Sequence, residues 1–342
     1  HTFNTIIDFI RDASIDPSVT SIKVTLYRVA KFSSIGNALI NAKRNHKDVT
    51  VLLELQARFD EENNIQWANR LKNEGVKVIF GISGLKVHSK LCMITRRERG
   101  ETVRYCSIGT GNLNEDTAKQ YTDCALLTAN QEICDDVENL FYFLERNIKY
   151  NGKFKHLLVS PVNARKRFYK LIANEIKEAE KGNPAWIKIK VNNMADKGLA
   201  EKLYEASQAG VKIQIICRSH FIIKTGIEGL SENIEAISIV DKYLEHARFC
   251  IFHHGGENLT YIGSADWQTR NIDHRVEVTC PVYREKLKEK LYDIFKIQWK
   301  DNYKARILDS ELSNEFRKVK KDKVIRSQDA VYEYLLERNK EQ

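Results

Sequence analysis

Two short strings carry residues whose types and spacing could do chemistry. Leu85-Lys86-Val87-His88-Ser89-Lys90-Leu91-Cys92-Met93-Ile94 and Tyr243-Leu244-Glu245-His246-Ala247-Arg248-Phe249-Cys250-Ile251-Phe252 each set a His two residues before a cation, at the head of an apolar run. Read as strands, period-two geometry puts His88 with Lys90, and His246 with Arg248, on one face. Imidazole is a nucleophile and a proton carrier near neutral pH, and a flanking cation neutralises phosphoryl oxygens. Each string is followed by a glycine turn, Gly109-Thr110-Gly111-Asn112 or Gly263-Ser264-Ala265-Asp266, and then by an acid, Asp123 or Glu277. The turns begin 21 and 17 residues after the histidines, and the acids follow 14 residues later in both copies. A lone His-x-Lys is more often structural; two copies in matching order point to a duplicated phosphoryl-transfer site. The expectation is that facing halves bring both histidines to one cleft on a pseudo-twofold axis. There one imidazole attacks phosphorus, the other handles the leaving-group proton, and the downstream acids hold the tautomers.

The elements that must position these residues repeat as well. The first half reads as strand 22–27, helix 38–43, strand 49–55, helix 65–72 closed by Gly75, then strands 76–80 and 87–95. The second half reads as strand 185–191, helix 198–208 closed by Gly210, strand 211–217, then strands 236–240 and 245–252. Strands alternating with helices predict an α/β fold of two tandem domains, each a mainly parallel sheet flanked by helices. The polar stretch 150–155, with its Asn-Gly, marks the boundary, giving domains 1–152 and 153–309. A helical tail over 310–342, with Asp329 capping 330–338, completes the chain.

Composition narrows the partners. The 342 residues carry 55 Lys and Arg against 46 Asp and Glu, a net charge of +9 that suits an anionic partner. Hydrophobic residues at 42% and charged residues at 30% describe a globular chain, not a disordered one. No apolar run approaches the roughly 18–20 residues of a membrane span, and no signal peptide is visible. With Met only at 93 and 194, the chain is expected to begin partway through a longer protein. Seven scattered Cys without a C-x-x-C pair fit reduced thiols in the cytoplasm. The basic run 317–323 reads as a solvated helix face, and His253-His254 before Gly255-Gly256 as an exposed loop tip. The absence of G-x-x-x-x-G-K-[ST] excludes a P-loop, and no aromatic platform for nucleic acid is present.

The paired His-x-Lys/Arg strings resemble the phospholipase D superfamily, with departures: Thr95 and His253 stand at its Asp positions, and Asp266 replaces the Asn of its second turn. Longer strings resemble one family within it, the polyphosphate kinases of the first type. These are Thr25-Leu26-Tyr27-Arg28, Glu54-Leu55-Gln56-Ala57-Arg58-Phe59-Asp60, Gly109 to Asn114, Tyr121-Thr122-Asp123, Gly229 to Ile234 and Ser264 to Asp273. The similarity runs from Phe3 to about Leu308 and fits the C-terminal half of such a kinase, with two phospholipase D-like domains.

That resemblance implies reversible transfer of the ATP γ-phosphate to inorganic polyphosphate through a phosphohistidine at His88. It places His246 at the nucleotide phosphates, with Tyr121 and Arg218 at the other nucleotide-contacting positions. Lys90, Arg248 and Asn112 are expected to bind phosphate. Arg28 and Arg58 match the family's magnesium site; lacking an acceptor, they are read as phosphate clamps beside a Mg²⁺ held by phosphate oxygens and water. The resemblance further implies ATP, ADP and polyphosphate as partners, a homo-oligomer and a cytoplasmic location, with membrane association outside what composition can test. Two alternatives stay open: a phospholipase D-like phosphodiesterase or nuclease, and a polyanion-binding module inactive in isolation.

Overall fold

The computed structural model describes residues 2–55, 60–82, 84–146, 153–317 and 324–340. In chain order its first elements are α1 (Asn4–Ile15), β1 (Val19–Leu26), α2 (Ser34–Arg44), β2 (Asp48–Leu53), α3 (Glu61–Asn73), β3 (Lys77–Phe80), β4 (Lys86–Val87), β5 (Lys90–Glu98) and β6 (Glu101–Gly109). Then come α4 (Glu115–Ala118), β7 (Tyr121–Thr122), β8 (Ala125–Thr128), α5 (Gln131–Arg146), β9 (Leu158–Ser160), α6 (Ala164–Glu180), β10 (Trp186–Val191), β11 (Met194–Ala195), α7 (Lys197–Gln208) and β12 (Lys212–Cys217). The chain finishes with β13 (Ile234–Ile239), β14 (Leu244–Glu245), β15 (Phe249–Phe252), β16 (Leu259–Gly263), β17 (Trp267–Gln268), α8 (Thr269–Asp273), β18 (Arg275–Val282), α9 (Glu285–Trp299), β19 (Ala305–Ile307) and α10 (Ser327–Lys340).

The chain forms two compact units. The first takes residues 1–164 together with 263–265 and 270–280, and the second takes 165–262, 266–269 and 281–342. The sequence boundary at 152 falls at the edge of a stretch outside the described residues. Two later stretches return to the first unit, which a cut of the chain into consecutive halves does not anticipate.

In the first unit the sheet runs β3-β2-β1-β5-β6-β8. The pairs β1/β2 and β2/β3 are parallel because α2 and α3 carry the chain back between them. The pairs β1/β5, β5/β6 and β6/β8 are antiparallel. Alternation splits the strands between two cores. Ile22, Val24, Cys92 and Ile94 pack under α1 to α3, and Leu91, Met93, Cys106 and Ile108 pack under α5. Each fully buried Leu, Ile or Phe contributes about 1.5–3 kcal/mol relative to exposure.

The second unit repeats this plan. Its strands run β19-β13-β12-β10-β15-β16, with β10/β12 and β12/β13 parallel and β13/β19, β10/β15 and β15/β16 antiparallel. The α/β class and the doubled plan stand. The expectation of mainly parallel sheets does not, because each unit adds hairpins to its βαβ core. Arg99 and Gly100 both take positive φ, the two-residue turn that joins β5 to β6. His254, Gly255, Gly256 and Asn258 do the same between β15 and β16. The tail differs too. Residues 308–317 are not helical, most of the run 317–323 lies outside the described residues, and α10 begins at Ser327, with Asp329 in its first turn.

Candidate active site

The loop after β1 is set by side chains rather than by a ladder. Asn64, fully buried on α3, donates to the carbonyls of Tyr27 and Glu54 (3.0 and 2.9 Å) and accepts from the Val29 N–H (3.3 Å). Gly36 lets α2 approach the Trp67 ring, where a Cβ would stand 2.4 Å from a ring carbon. Arg28 therefore projects just beyond the end of β1, and its guanidinium pairs with Asp60 at 3.2 Å. Arg58 lies outside the described residues.

His88 does not sit in a continuous strand. The run is broken between β4 and β5, and the N–H groups of His88 and Ser89 both donate to the carbonyl of Val276 (2.9 and 3.0 Å). The break tethers His88 to β18, which pairs with β4 through Arg275–Lys86 and Val276–Val87. The imidazole Nδ1 lies 2.9 and 3.0 Å from the two carboxylate oxygens of Glu277. Asn271 Nδ2 donates to the same carboxylate at 2.6 Å, and the Ser264 hydroxyl donates to its other oxygen. Burial raises the proton affinity of Glu277, but His88 and Lys90 beside it, and the bonds from His88 and Ser264, outweigh that. Its pKa is held below the ordinary 4.5.

Lys90, 2% exposed, turns its ammonium back to the His88 carbonyl and lies 5.2 Å from the centre of the Tyr27 ring. Tyr27 also meets the His88 ring edge-on, 4.8 Å between centroids. The acid on His88 thus comes from the second sequence copy. Asp123, the acid that follows His88 in the repeat, accepts from the Thr110 hydroxyl at 2.7 Å and fills the space beside Gly111, where a Cβ would meet it at 2.1 Å. Asn112 follows in the same turn, its amide oxygen buried with no hydrogen-bond partner among the described residues. Tyr121 is half-buried on β7.

In the second unit His246 occupies the matching break, between β14 and β15, and is 9% exposed. Arg248 Nη1 lies 3.2 Å from its Nε2 and donates to its carbonyl at 3.0 Å. A guanidinium can only donate, so Nε2 accepts in this geometry. Arg248 is anchored in turn by Asp266, with Nε 3.1 Å from Oδ1. Asp266 also accepts from the Asn192 N–H (2.8 Å) and from Asn193 Nδ2 (2.9 Å). Burial opposes its ionisation, yet Arg248 and these donors bring its pKa down to about 2. Arg218 leaves the end of β12 and donates from Nε to the Glu245 carbonyl (2.9 Å) and to Asn192 Oδ1 (3.2 Å). His246, Arg248 and Arg218 therefore share one network. Sequence reasoning did not single out Asn192, and it quoted Tyr27 only within the string that ends at Arg28, without a role; neither carries a spacing signal.

Among the described residues no group of three His, Cys, Asp or Glu could hold a metal ion. Arg28 is a donor only and pairs with Asp60, and the second residue of the expected magnesium position, Arg58, lies outside the described residues. His253 and His254 shape the hairpin turn instead: the His253 ring packs on Trp186, and the His254 N–H donates to Glu175 at 2.7 Å. All seven cysteines are free thiols, six of them buried. No described helix is long and apolar enough to cross a membrane.

Comparison with known proteins agrees with this architecture. The family model "Polyphosphate kinase C-terminal domain 1" matches residues 1–150, and "Polyphosphate kinase C-terminal domain 2" matches residues 157–328. A polyphosphate kinase of Vibrio parahaemolyticus is 53% identical over 98% of this chain, and that of Escherichia coli K12 is 48% identical over the same share. In both cases the match covers 48% of the relative, so the chain spans about half the length of these curated relatives. The crystal structure of polyphosphate kinase from Porphyromonas gingivalis superposes with a TM-score of 0.93 at 37% identity, covering all of this chain and 52% of that one. A phosphatidylserine synthase of Haemophilus influenzae shares the fold alone, with a TM-score of 0.62 at 12% identity over 98% of this chain and 91% of that one. The fold is thus the doubled phospholipase D-like one, and the chain belongs to the polyphosphate kinase family.

Proposed function

We propose that the chain carries the phosphoryl-transfer centre of an ATP:polyphosphate phosphotransferase, with His88 as the residue that is phosphorylated. The observation that carries this reading is the Glu277 carboxylate, 1% exposed, at His88 Nδ1. With the proton on Nδ1 facing a carboxylate, the lone pair is on Nε2, and Glu277 balances the positive charge the ring gains on attack. Nε2 attacks the γ-phosphorus, the bond to the bridging oxygen breaks, and ADP leaves with that electron pair. In the second half-reaction a terminal phosphate oxygen of polyphosphate attacks, the P–N bond breaks, and the chain grows by one phosphate.

Lys90 and Arg28 supply positive charge in the unit that holds His88, and Asn112 offers its amide once the side chain turns its NH₂ toward phosphate. In the second unit His246, accepting from Arg248 at Nε2, has its proton on Nδ1 and gives it to a phosphate oxygen. Arg218 and Tyr121 are assigned to the nucleotide. A Mg²⁺ carried on the nucleotide phosphates would supply charge neutralisation, with Arg28 and Arg58 as the phosphate clamps beside it. The reaction is assigned to the cytoplasm.

The test is direct. Incubated with γ-labelled ATP and Mg²⁺, the chain is expected to take up an acid-labile, base-stable label that His88→Ala abolishes. A chain that takes no label, or keeps it after that substitution, refutes the assignment.

A further inference from the structure

The C-terminal helix reaches the segment that leads directly into His246. Gln328, in the first turn of α10, uses its side-chain amide as a peptide group would. Nε2 donates to the Tyr243 carbonyl at 2.8 Å, and Oε1 accepts from the Tyr243 N–H at 3.0 Å. The same Nε2 donates to Glu245 Oε1 at 2.8 Å. Glu245 is 3% exposed, and its other oxygen accepts from Lys190 Nζ (2.5 Å) and Gln298 Nε2 (2.8 Å). Two residues earlier, Arg326 grips Asp241 with two bonds of 2.8 Å. Burial opposes the charge on Asp241, but the Arg326 bonds dominate and hold its pKa below the ordinary value.

The helix itself is moored. The Ser327 N–H donates to the fully buried Asp301 at 2.7 Å, and Tyr334 donates to Asp293 on α9 at 2.8 Å. His246 needs such support because it lies in a strand break. After it the chain enters β15; before it stands only the two-residue β14.

We propose that the start of α10 is a clamp that sets the position of His246, with Gln328 and Arg326 as positioning residues for its chemistry. An amide at 328 is what the site demands, since the Tyr243 peptide needs a donor and an acceptor together and the Glu245 carboxylate needs a donor. The functional part rests on the role proposed for His246; the positional part does not.

The experiment compares Gln328→Met, which keeps length and bulk without the amide, and Arg326→Lys, which keeps charge without the fork, with Glu333→Ala on the exposed face of α10 as control. Imidazole NMR resonances of His246 and His88, each assigned by its own substitution, report position. Phosphohistidine formation against nucleotide concentration reports chemistry. Gln328→Met is expected to shift the His246 resonance, leave His88 in place and raise the half-saturating nucleotide concentration about tenfold, the worth of one hydrogen bond to a charged group. Arg326→Lys moves the same signals less, and Glu333→Ala moves neither. A His246 resonance unchanged in both clamp variants overturns the proposal, and so do His88 and His246 resonances that shift together. If the resonance shifts and labelling is untouched even in His246→Ala, the clamp stands and the role given to His246 falls.

Discussion

Replacing Glu277 by Gln isolates the charge at the heart of the His88 site. The amide can keep its oxygen where Oε1 now stands, still accepting from His88 Nδ1 (2.9 Å) and Asn271 Nδ2 (2.6 Å), and turn its NH₂ toward Ser264. Shape and tautomer are then preserved, and the negative charge is lost. Two unit charges about 4 Å apart interact by about 4 kcal/mol at an effective dielectric of about 20. The amide dipole retains part of that, because a charge-assisted bond is worth about twice a neutral one. A deficit of about 2–3 kcal/mol remains, which slows attack by Nε2 about 10²-fold. The assay is the initial rate of phosphohistidine labelling from γ-labelled ATP, with the melting temperature and the His88 resonance confirming an intact site. A rate within about threefold of the parent, in a folded protein, would refute the argument that Glu277 stabilises the phosphorylated ring.

Other consequences are equally open to measurement. Lys90→Met keeps the buried stem packed but removes the cation, so labelling slows at least about tenfold while denaturant unfolding stays cooperative; unchanged kinetics would take Lys90 out of the site. Asp266→Asn removes a carboxylate whose pKa drops from 3.8 to about 2 on folding, which is worth roughly 2 kcal/mol above pH 4. Because the folded-state pKa is depressed, that contribution is complete above 3.8 and is lost as the pH falls through about 2. Urea titrations of parent and variant should therefore differ at pH 7 and converge near pH 2. Gly111→Ala places a methyl on Asp123 and is expected to cost about 1–3 kcal/mol, seen as a lower urea midpoint at unchanged slope. A midpoint equal to the parent's would show that Asp123 swings aside freely.

Much of this molecule could be read before folding it. Ile22, Val24 and Leu26 alternate with polar residues as a half-buried strand must, and all are buried. The paired histidines, their cations and the glycine turns stood out because they recur in order. Three things could not be read. The unbroken apolar runs 91–94 and 249–252 hide the breaks at His88 and His246, because a break is defined by where N–H groups find acceptors and not by side-chain polarity. Repeat spacing states the order of acids, not which copy each serves, so Glu277 could not be assigned to His88. The start of α10 at Ser327 rests on Asp301, a cap that arrives from 26 residues upstream and leaves no local signal.

The bond from His88 to Glu277 spans 189 residues. At roughly 5–20 residues per second, a ribosome needs roughly 10–40 s to travel from one to the other. Throughout that interval the nascent chain displays the histidine without its carboxylate, because the strand that delivers Glu277 is still unmade. Closing so long a loop costs chain entropy that only the completed sheet offsets, which makes this contact a late one in folding. Synthesis therefore delivers His88 long before the carboxylate that pairs with it. A fragment ending at residue 164 would stay without that carboxylate, so the histidine with its helices is no portable module.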